Sequence, residues 1–462
     1  MEKDLNFNFE AETNIEILQD WFQTHLDEFE VSDDENNWYL PRESPKHINY
    51  WKSNWGQLLD NPDLKNPNSK VSKLFQLRFR VPYILFKHFL VPKCIEHNIF
   101  DIEMEGHTRC PIEIKILSCL RLIGRGMTFD DINELSLIPN SSIANMFYTF
   151  VENFASKMYN FCIRDPSLSS LQSRMDHYSA LGLPGAMGSV DCTRVHWDKC
   201  PKDLRNFAIG KEKFPTLSFL VVCDHNRQIQ YVSENAYLGA LNDINVANVD
   251  PFMVSLRHGS FKSVEFYLIL SDGTRLKCYG SYLISDNGFF TSSVLMDPPK
   301  NRFNEAHVLW AEWLESVRKD IECLFGILKI RFRILLQRMQ QHSVRKIRNI
   351  FITCCILHNI LNMYKETLSD PLYEIDPDVD EELFMAWDEN LHPTWKDYLS
   401  SFSVPPIQGE CIKKKKKISI FSDLVCFPIM EVNTDTSNKV NLQAFMYGSG
   451  RRINYLNFKS FL

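Results

Sequence analysis

The sequence lacks any run of about 18 consecutive apolar residues, so it predicts no membrane-spanning helix. It also lacks a signal-peptide pattern at its opening residues, MEKDLNFNFE. Its 13 cysteines are odd in number and scattered, without the spacing of a secreted disulfide framework. We therefore expect an intracellular, reduced protein.

An excess of positive charge is missing as well. The chain has 51 Lys and Arg against 58 Asp and Glu, a formal net charge of -7. Neutralising nucleic-acid phosphates requires Lys and Arg, so the total argues against such a partner. The distribution is uneven, however, because acidic residues crowd the stretches 27–35 and 366–389.

Between these acidic stretches lies a locally basic one, at residues 318–348. It contains Arg318, Lys319, Lys329, Arg331, Arg333, Arg338, Arg345, Lys346 and Arg348. Such a stretch predicts either a face that follows a phosphate backbone or an ordinary solvated helix face. The pattern alone does not decide between the two.

The composition, 44% hydrophobic and 24% charged, is typical of a globular protein. The length of 462 residues exceeds that of a usual single domain, so we expect one large core domain with smaller appendages. We predict a loosely packed acidic arm at 1–70, a helical bracing segment at 71–109, and an acidic, then Lys-rich, poorly structured tail at 364–462. In that tail, Lys413–Lys417 is either a nuclear-import signal or a solvated run.

Residues 110–160 predict three helices. Thr128 can cap the second of them, and the third would start near Ser141 or Ser142 with a polar N-terminal end. These proportions fit a helix-turn-helix unit that contacts DNA through Ser141, Ser142 and Asn145. They also fit a plain helical bundle, which spacing alone favours.

From Pro184 the pattern changes to short runs rich in Val, Ile and Phe, which predict strands. Helical patterning returns at 306–328 and again at 345–363. Strands followed by a mixed run of strands and helices predict an α/β or α+β domain with a mixed sheet. We assign this domain to residues 184–363.

Three acidic residues of this domain stand where a nuclease built from a sheet and helices would need them. Asp191 lies in the apolar run SVDCTRVHW, where a carboxylate is costly to desolvate unless a metal cation or a buried Lys or Arg compensates. Asp286 precedes Asn287 and Gly288, so it stands either at the carboxyl end of a strand or in a simple Asp-Asn-Gly turn. Glu322 lies at the edge of the buried stripe of a predicted helix.

Carboxylates point to a specific chemistry, because Asp and Glu supply the hard oxygen ligands that Mg²⁺ and Mn²⁺ prefer. Two such ions can stabilise the attacking and the leaving oxygen in phosphodiester cleavage, without a protein nucleophile. Arg318 and Lys319 lie one turn before Glu322. We predict that they contact DNA phosphate, and intrahelical ion pairs with Glu315 and Glu322 are the alternative.

Other polar residues receive structural interpretations. Cys192, His196 and Cys200 recur every four positions, which suggests zinc ligands, but we reject that interpretation because the segment is strand-like. We assign Asp224 and Asp243 to loop structure, with a water-mediated metal role as the minor alternative. We expect His358 to pack or form hydrogen bonds in the last helix, with a role in the site as the alternative.

Five motifs, in order, resemble the DDE superfamily endonucleases of PIF/Harbinger transposons, in the plant-transposon-protein branch. They are GSVDCTRVHWDKCP, GALNDINVANVDPF, SYLISDNGFF, RKDIECLFGILKIRF and CCILHNIL. The resemblance covers residues 184–362 and continues more weakly back to FRVPY at 79–83. The sequence departs from the family pattern at Asn287, at Phe289 and Phe290, and at Asp250, where Ser is usual.

The resemblance implies an α/β, RNase H-like domain with a mixed five-stranded sheet flanked by helices, preceded by a helix-turn-helix-like region. It implies that Asp191, Asp286 and Glu322 are the catalytic, metal-binding triad, with two Mg²⁺ or Mn²⁺ ions. The implied activity is endonuclease and transposase action at transposon ends, with strand transfer by the freed 3′-hydroxyl to target DNA.

The resemblance also bears on partners. Harbinger-type elements usually encode a separate Myb-like DNA-binding protein, which is therefore an expected partner. We expect a nuclear protein, held in the cytoplasm until partner-assisted import, and a homo-oligomer when active. The alternatives are a domesticated DNA-binding or chromatin-associated protein that no longer cuts, and a scaffold whose acidic arms bind a basic protein.

Overall fold

The computed structural model of the protein describes residues 48–100, 110–163, 168–269, 274–289, 292–299, 303, 305–368, 432–433 and 439–440. The predictions for residues 1–47 and 101–109, for Phe290, and for most of the tail with its Lys413–Lys417 run lie outside the described residues. Within the described residues, no helix combines the length and the apolar character needed to cross a membrane.

Helices build the described chain up to residue 180. They are α1 (Asn54–Leu59), α2 (Lys70–Phe79), α3 (Tyr83–Leu85), α4 (Val91–Glu96), α5 (Ile112–Arg125), α6 (Phe129–Ser136), α7 (Asn140–Cys162) and α8 (Leu168–Ala180). A π-helical turn, Phe86–Leu90, joins α3 to α4, and short 3₁₀ helices cover Tyr50–Lys52 and Pro62–Lys65. The predicted bracing segment is thus helical where it is described.

The end of the predicted acidic arm is more tightly packed than expected. Trp55 is 5% exposed and Leu64 is 0% exposed. The ring of Trp55 meets the ring of Phe79 edge to face, with 5.6 Å between centroids. Because large apolar rings gain the most from burial, these side chains tie residues 48–70 to the helical part of the core.

The three helices expected in 110–160 are α5, α6 and α7. Thr128 caps α6 in a capping box with Asp131, as the cap prediction required. Leu137 ends α6 in the left-handed conformation, with φ at 65°, and α7 starts directly after Pro139. Ser141, Ser142 and Asn145 are exposed at the N-terminal end of α7.

A mixed sheet organises the second half of the chain. Its strands are β1 (Ala186–His196), β2 (Thr216–Cys223), β3 (Ile229–Val232), β4 (Tyr237–Leu238), β7 (Tyr282–Ile284) and β8 (Leu295–Met296). Their order is β3-β2-β1-β7-β8, with β4 also paired to β2. β1, β2 and β3 are antiparallel neighbours, whereas β7 is parallel to β1 and β8 is parallel to β7. The predicted mixed sheet is confirmed, but it has six strands and not the five that the family resemblance implies, because the short strand β4 also pairs with β2.

Helices and hairpins complete this half. The helices are α9 (Lys202–Ala208), α10 (Asp243–Val249), α11 (Pro251–Arg257), α12 (Glu305–Arg331) and α13 (Val344–Leu368), and a short 3₁₀ helix, Arg333–Leu335, follows α12. β5 (Glu265–Ile269) and β6 (Arg275–Tyr279) form a separate hairpin, and β9 (Val432–Asn433) pairs with β10 (Lys439–Val440). α12 and α13 match the two helices predicted at 306–328 and 345–363.

Both faces of the sheet are covered by helices. On one face, Phe219 of β2 stacks on Phe351 of α13, with ring centroids 4.1 Å apart. On the other, Val190 and Leu220 share an apolar cluster with Met253 of α11. The alternation of side chains along a strand separates these two layers, so a polar residue in β1 is buried against one helix layer or the other.

Candidate active site

The parallel pairing of β1 with β7 brings the first two predicted carboxylates together. Ser189 of β1 is in register with Ile284, the last residue of β7. Asp191 and Asp286 each lie two residues further along their chains. Because the two strands run in the same direction, both side chains lie at the point where the strands part. Their closeness also shows in the electrostatics, since Asp286 raises the pKa of Asp191.

The third carboxylate comes from α12 and is joined to the first by an arginine. Arg318 Nη1 lies 3.7 Å from Asp191 Oδ2. Arg318 Nη2 donates a hydrogen bond to Glu322 Oε1, one helical turn further on. The intrahelical pair with Glu322, the alternative reading of Arg318, is therefore present, while Lys319 is exposed to solvent. The structure thus places Asp286 and Arg318 beside Asp191, and Arg318 lies between Asp191 and Glu322.

The electrostatics of Asp191 are those of a carboxylate confined in a poorly solvated place. Its side chain is 18% exposed, and burial raises its pKa to about 7. Asp286 and Asp243 raise this pKa further, whereas the backbone N–H of Cys192, 2.7 Å from Asp191 Oδ1, and Arg318 lower it. Added positive charge at this position would therefore favour the ionised carboxylate.

The donor set has the chemistry that Mg²⁺ and Mn²⁺ require, namely carboxylate oxygens. Within the part of the chain that the structure describes, no three His, Cys, Asp or Glu side chains are grouped closely enough to hold one metal ion. The guanidinium of Arg318 occupies the space between Asp191 and Glu322. The three carboxylates are of the residue type that binds Mg²⁺ or Mn²⁺. In this structure the positive charge between Asp191 and Glu322 is the guanidinium of Arg318.

A second group of charges lies across the sheet from Asp191. Arg194 is three residues further along β1, so its side chain leaves the opposite face. Its Nη2 lies 3.2 Å from Asp243 Oδ1 and its Nη1 3.6 Å from Glu212 Oε1. Asp243 begins α10 behind the cap of Asn242. The assignment of Asp243 to loop structure was therefore wrong, because Asp243 is the first residue of a helix. Its partner Arg194 is 49 positions away, so the sequence spacing does not reveal this ion pair.

The loop assignment of Asp224 is confirmed. Its Oδ1 accepts hydrogen bonds from the backbone N–H of Asn226, at 2.9 Å, and of Gln228, at 3.0 Å. These bonds close the turn between β2 and β3. Both interpretations of Asp286 apply. Its Oδ1 accepts a hydrogen bond from Gly288 N–H at 2.8 Å, as in an Asp-Asn-Gly turn, and the residue also lies at the end of a strand beside Asp191.

The rejected zinc site is absent from the described residues. Cys192 and His196 both lie on β1, where four residues span about 13 Å. The His196 ring stacks on the Phe214 ring, with 4.2 Å between centroids. The Cys200 thiol lies 3.5 Å from the Pro201 carbonyl oxygen. These three side chains do not converge.

The closing motif CCILHNIL has a structural role. His358 Nδ1 lies 2.9 Å from Arg331 Nη1, and its Nε2 lies 2.9 Å from the Arg227 carbonyl oxygen, so the hydrogen-bonding role predicted for His358 is confirmed. Asn359, which sequence reasoning missed, accepts from Ile229 N–H at 2.9 Å and donates to the Ile229 and Cys162 carbonyls at 2.7 and 2.9 Å. In the sequence, the position of Asn359 within the CCILHNIL motif is the only signal for this hydrogen-bonding role.

The departure from the family pattern at Asp250 also has a structural explanation. Its Oδ1 accepts from the backbone N–H of Phe252 and Met253, at 3.1 and 3.2 Å, and so caps α11. A serine can cap a helix in the same way. The second oxygen of Asp250 accepts from the hydroxyls of Tyr231 and Tyr237, at 3.1 and 2.9 Å. The substitution therefore keeps the cap and adds two buried hydrogen bonds.

The basic stretch 318–348 does not form one continuous face. Burial lowers the pKa of Lys329 and of Arg348, and Arg348 lies near Glu234 and Glu152. Lys346 lies over the Tyr148 ring, 4.4 Å from its centroid. A turn and a 3₁₀ helix separate α12 from α13, so side chains that are neighbours in sequence point to different partners.

Fold and site together define a mixed α/β protein with an acidic cluster between two parallel strands, an arrangement compatible with an α/β nuclease fold. Residues 159–367 match the family described as "Plant transposon protein". This similarity supports a relation of this part of the chain to the Harbinger-derived nuclease family.

Curated relatives agree with this placement. The "Putative nuclease HARBI1" of Rattus norvegicus is 25% identical over 253 residues, 52% of this chain and 65% of that protein. The Arabidopsis thaliana "Protein ALP1-like" is 25% identical over 267 residues, 55% and 62% of the two chains. The Homo sapiens HARBI1 protein is 28% identical over 227 residues, 47% and 57%. The chain thus spans less than two thirds of the length of these relatives. No solved structure matches it significantly.

Proposed function

We propose that this chain is a metal-dependent DNA endonuclease derived from a transposase, which cleaves phosphodiester bonds at transposon ends. The freed 3′-hydroxyl can then attack a phosphodiester of target DNA, which joins the transposon strand to the target and releases a 3′-hydroxyl of the target strand. The observation that carries the proposal is the carboxylate cluster: Asp191 is buried beside Asp286 where β1 and β7 part, and Arg318 links it to Glu322. Similarity to the plant transposon protein family and to proteins named as nucleases supports the same activity.

The sheet supports an RNase H-like identity for residues 184–363. Along the path β3-β2-β1-β7-β8, three antiparallel strands are followed by two parallel ones, and the sixth strand, β4, pairs with β2. The first carboxylate lies within β1, the second directly after β7, and the third on α12, which packs on the sheet. This is the arrangement that the family resemblance leads us to expect.

In this proposal Asp191, Asp286 and Glu322 would hold two Mg²⁺ or Mn²⁺ ions. When bound, such ions supply positive charge to the attacking and leaving oxygens of the phosphodiester. Burial of Asp191 excludes water that would otherwise weaken this electrostatic effect. Arg318 neutralises the carboxylates and keeps Asp191 and Glu322 at a set separation.

Contacts to DNA are proposed at two places. Lys319 is exposed on α12 directly beside the cluster, which suits a contact to phosphate. To contact a DNA phosphate, Arg318 would have to break its ion pairs with Asp191 and Glu322. Ser141, Ser142 and Asn145 are exposed at the N-terminal end of α7, as a helix-turn-helix contact to DNA would need. Nuclear location, a Myb-like partner and a homo-oligomeric active form remain proposals from the family resemblance.

The decisive experiment is a nicking assay with the purified full chain, a terminal-repeat duplex and Mg²⁺ or Mn²⁺. Asp191→Asn, Asp286→Asn and Glu322→Gln should each lower the rate at least about 100-fold, because each removes a ligand charge from the site. Asp60→Asn, at an exposed helix end, is the matched control and should cut at the wild-type rate.

Two outcomes would contradict the proposal. If Asp191→Asn cuts as fast as wild type, the triad assignment is wrong. If the wild type binds the duplex but cuts it with neither ion, the chain is the domesticated DNA-binding protein that we consider as the alternative.

A further inference from the structure

A surface with exposed basic and aromatic side chains lies beside the C-terminal end of β1. It is formed by α9 and by the loop 209–215, which leads from α9 into β2. Phenylalanine is among the residues most often buried, yet Phe207 is 50% exposed and Phe214 is 40% exposed. The exposed side chains, which we call the basic-aromatic surface, are Lys202, Arg205, Phe207, Lys211, Lys213 and Phe214.

The charge of this surface is opposite in sign to that of the whole chain. Acidic residues outnumber basic ones by 58 to 51 in the chain, whereas residues 202–214 contain four basic and two acidic residues. Of these two, Asp203 is exposed, and Glu212 Oε1 lies 3.6 Å from Arg194 Nη1, so that its charge is partly neutralised. A surface with this balance attracts a polyanion.

The loop 209–215 is held in a fixed shape. Ile209 and Pro215 form a β-bridge that closes it. Gly210 packs so closely on the backbone of Gly239 that an added Cβ would collide with the Gly239 carbonyl oxygen. The exposed side chains are therefore presented by an ordered backbone, which reduces the entropy that is lost when a partner binds.

The Phe214 ring already takes part in a stack. It lies on the His196 ring, with 4.2 Å between centroids and 16° between the ring planes. Because the Phe214 side chain is still 40% exposed, a further planar ring can extend this stack. Nucleic-acid bases are planar and stack on aromatic side chains with little dependence on sequence. Bases within a duplex are already stacked on their neighbours, so an unpaired strand is the form that suits these rings.

Two connections place this surface beside the carboxylate cluster. β1 carries both Asp191 and His196, and the five positions from one to the other span about 17 Å. That distance is about the length of five stacked nucleotides. The second connection is Glu212 of the loop, which raises the pKa of Lys329, a residue two turns after Glu322 on α12. A DNA strand that leaves the carboxylates can therefore reach the basic-aromatic surface.

We propose that the basic-aromatic surface binds a single strand of DNA. The inference rests on the proposed nuclease function for the source of that strand, because cleavage frees a strand end beside the carboxylates. The lysine and arginine side chains would neutralise its phosphates, and Phe207 and Phe214 would stack on its bases. A surface for duplex DNA alone would need the basic residues but not the two rings.

The test is binding of a fluorescent oligothymidine of about 12 nucleotides, long enough for one typical binding surface, by the full chain. A duplex of the same length is measured in parallel, and a chelator prevents cleavage. Phe207→Leu and Phe214→Leu keep an apolar side chain and remove the ring. Tyr267→Leu is the matched control, because Tyr267 is 51% exposed on β5.

Each phenylalanine variant should lower the affinity for oligothymidine by about 5-fold or more, the effect of losing one stacked base, with a change of less than about twofold for the duplex. Lys202→Gln with Lys213→Gln should lower the salt-dependence slope for oligothymidine by about 1.4, because two phosphate contacts are lost. Lys65→Gln with Lys73→Gln removes the same charge from exposed positions on the N-terminal helices and should keep the wild-type slope, as Tyr267→Leu should keep the wild-type affinity.

Failure of the inference and failure of the proposed function give different results. If wild type does not bind oligothymidine, or if both phenylalanine variants bind it as tightly as wild type does, the inference is overturned. It is also overturned if these variants change only the association state in sedimentation, because the rings would then form a contact between copies of the chain. Normal binding by the variants together with nicking by wild type would keep the nuclease proposal and remove the inference. Ring-dependent binding without nicking would do the reverse.

Discussion

Replacing Asp191 by Asn should stabilise the protein, and increasingly so as the pH rises. Burial raises the pKa of Asp191 to about 7, whereas an aspartate in an unfolded chain titrates near about 3.9. A tenfold difference in proton affinity corresponds to about 1.4 kcal/mol, so ionisation of Asp191 lowers the free energy of unfolding by up to about 4 kcal/mol above pH 7. The pKa of about 7 already includes the lowering effect of Arg318, so this attraction is not added a second time.

The sign follows from which state binds the proton more tightly. The folded state has the higher pKa, so stability from this group is complete below about pH 4 and is lost as the pH rises through about 7. Asn cannot ionise and avoids that loss, and its side-chain oxygen can still accept from Cys192 N–H. The advantage of the variant should therefore grow by about 2–3 kcal/mol between pH 5 and pH 8.

The assay is thermal unfolding in a chelator at pH 5, 6, 7 and 8. The melting temperature of Asp191→Asn should exceed that of wild type by several degrees at pH 8, with a smaller difference at pH 5. Asp60→Asn, which changes an exposed carboxylate, should follow the wild-type curve at every pH. A gap between Asp191→Asn and wild type that stays constant, or shrinks as the pH rises, would refute the reasoning.

Two further predictions concern buried hydrogen bonds. Asp250→Ala should lower the free energy of unfolding by about 3 kcal/mol, because it removes the cap of α11 and leaves two buried tyrosine hydroxyls without their acceptor, whereas Asp250→Ser should recover about 1 kcal/mol by restoring the cap. Asn359→Ala should lower it by about 2–4 kcal/mol, because the Ile229 N–H and the Ile229 and Cys162 carbonyls lose their partner. Urea unfolding measures both, and a loss below about 0.5 kcal/mol in either alanine variant would show that water or a shifted side chain replaces the missing bonds.

Several features of the protein were predictable because they depend on residues close together in sequence. The cap of α6 needs Thr128 and Asp131, three positions apart, and the helices at α12 and α13 follow from apolar residues repeated at helical spacing. The strand around Asp191 and the helix around Glu322 were predictable for the same reason. Their motifs also carry the family resemblance, because a motif is a local pattern.

The relative placement of the site residues was not predictable in this way. Asp191, Asp286 and Glu322 come from β1, the segment after β7, and α12, and their proximity depends on the parallel register of Ser189 with Ile284. Each of these residues had a plausible structural alternative in the sequence. Only strand pairing could decide that the first two lie side by side.

By itself, then, the sequence determined the elements, the caps and the candidate carboxylates, since these depend on local periodicity and residue chemistry. The tertiary structure alone decided that Arg318 links Asp191 to Glu322 and that the basic stretch separates toward different partners. The physical reason is that electrostatic contacts act between residues that packing brings together, however far apart they lie along the chain.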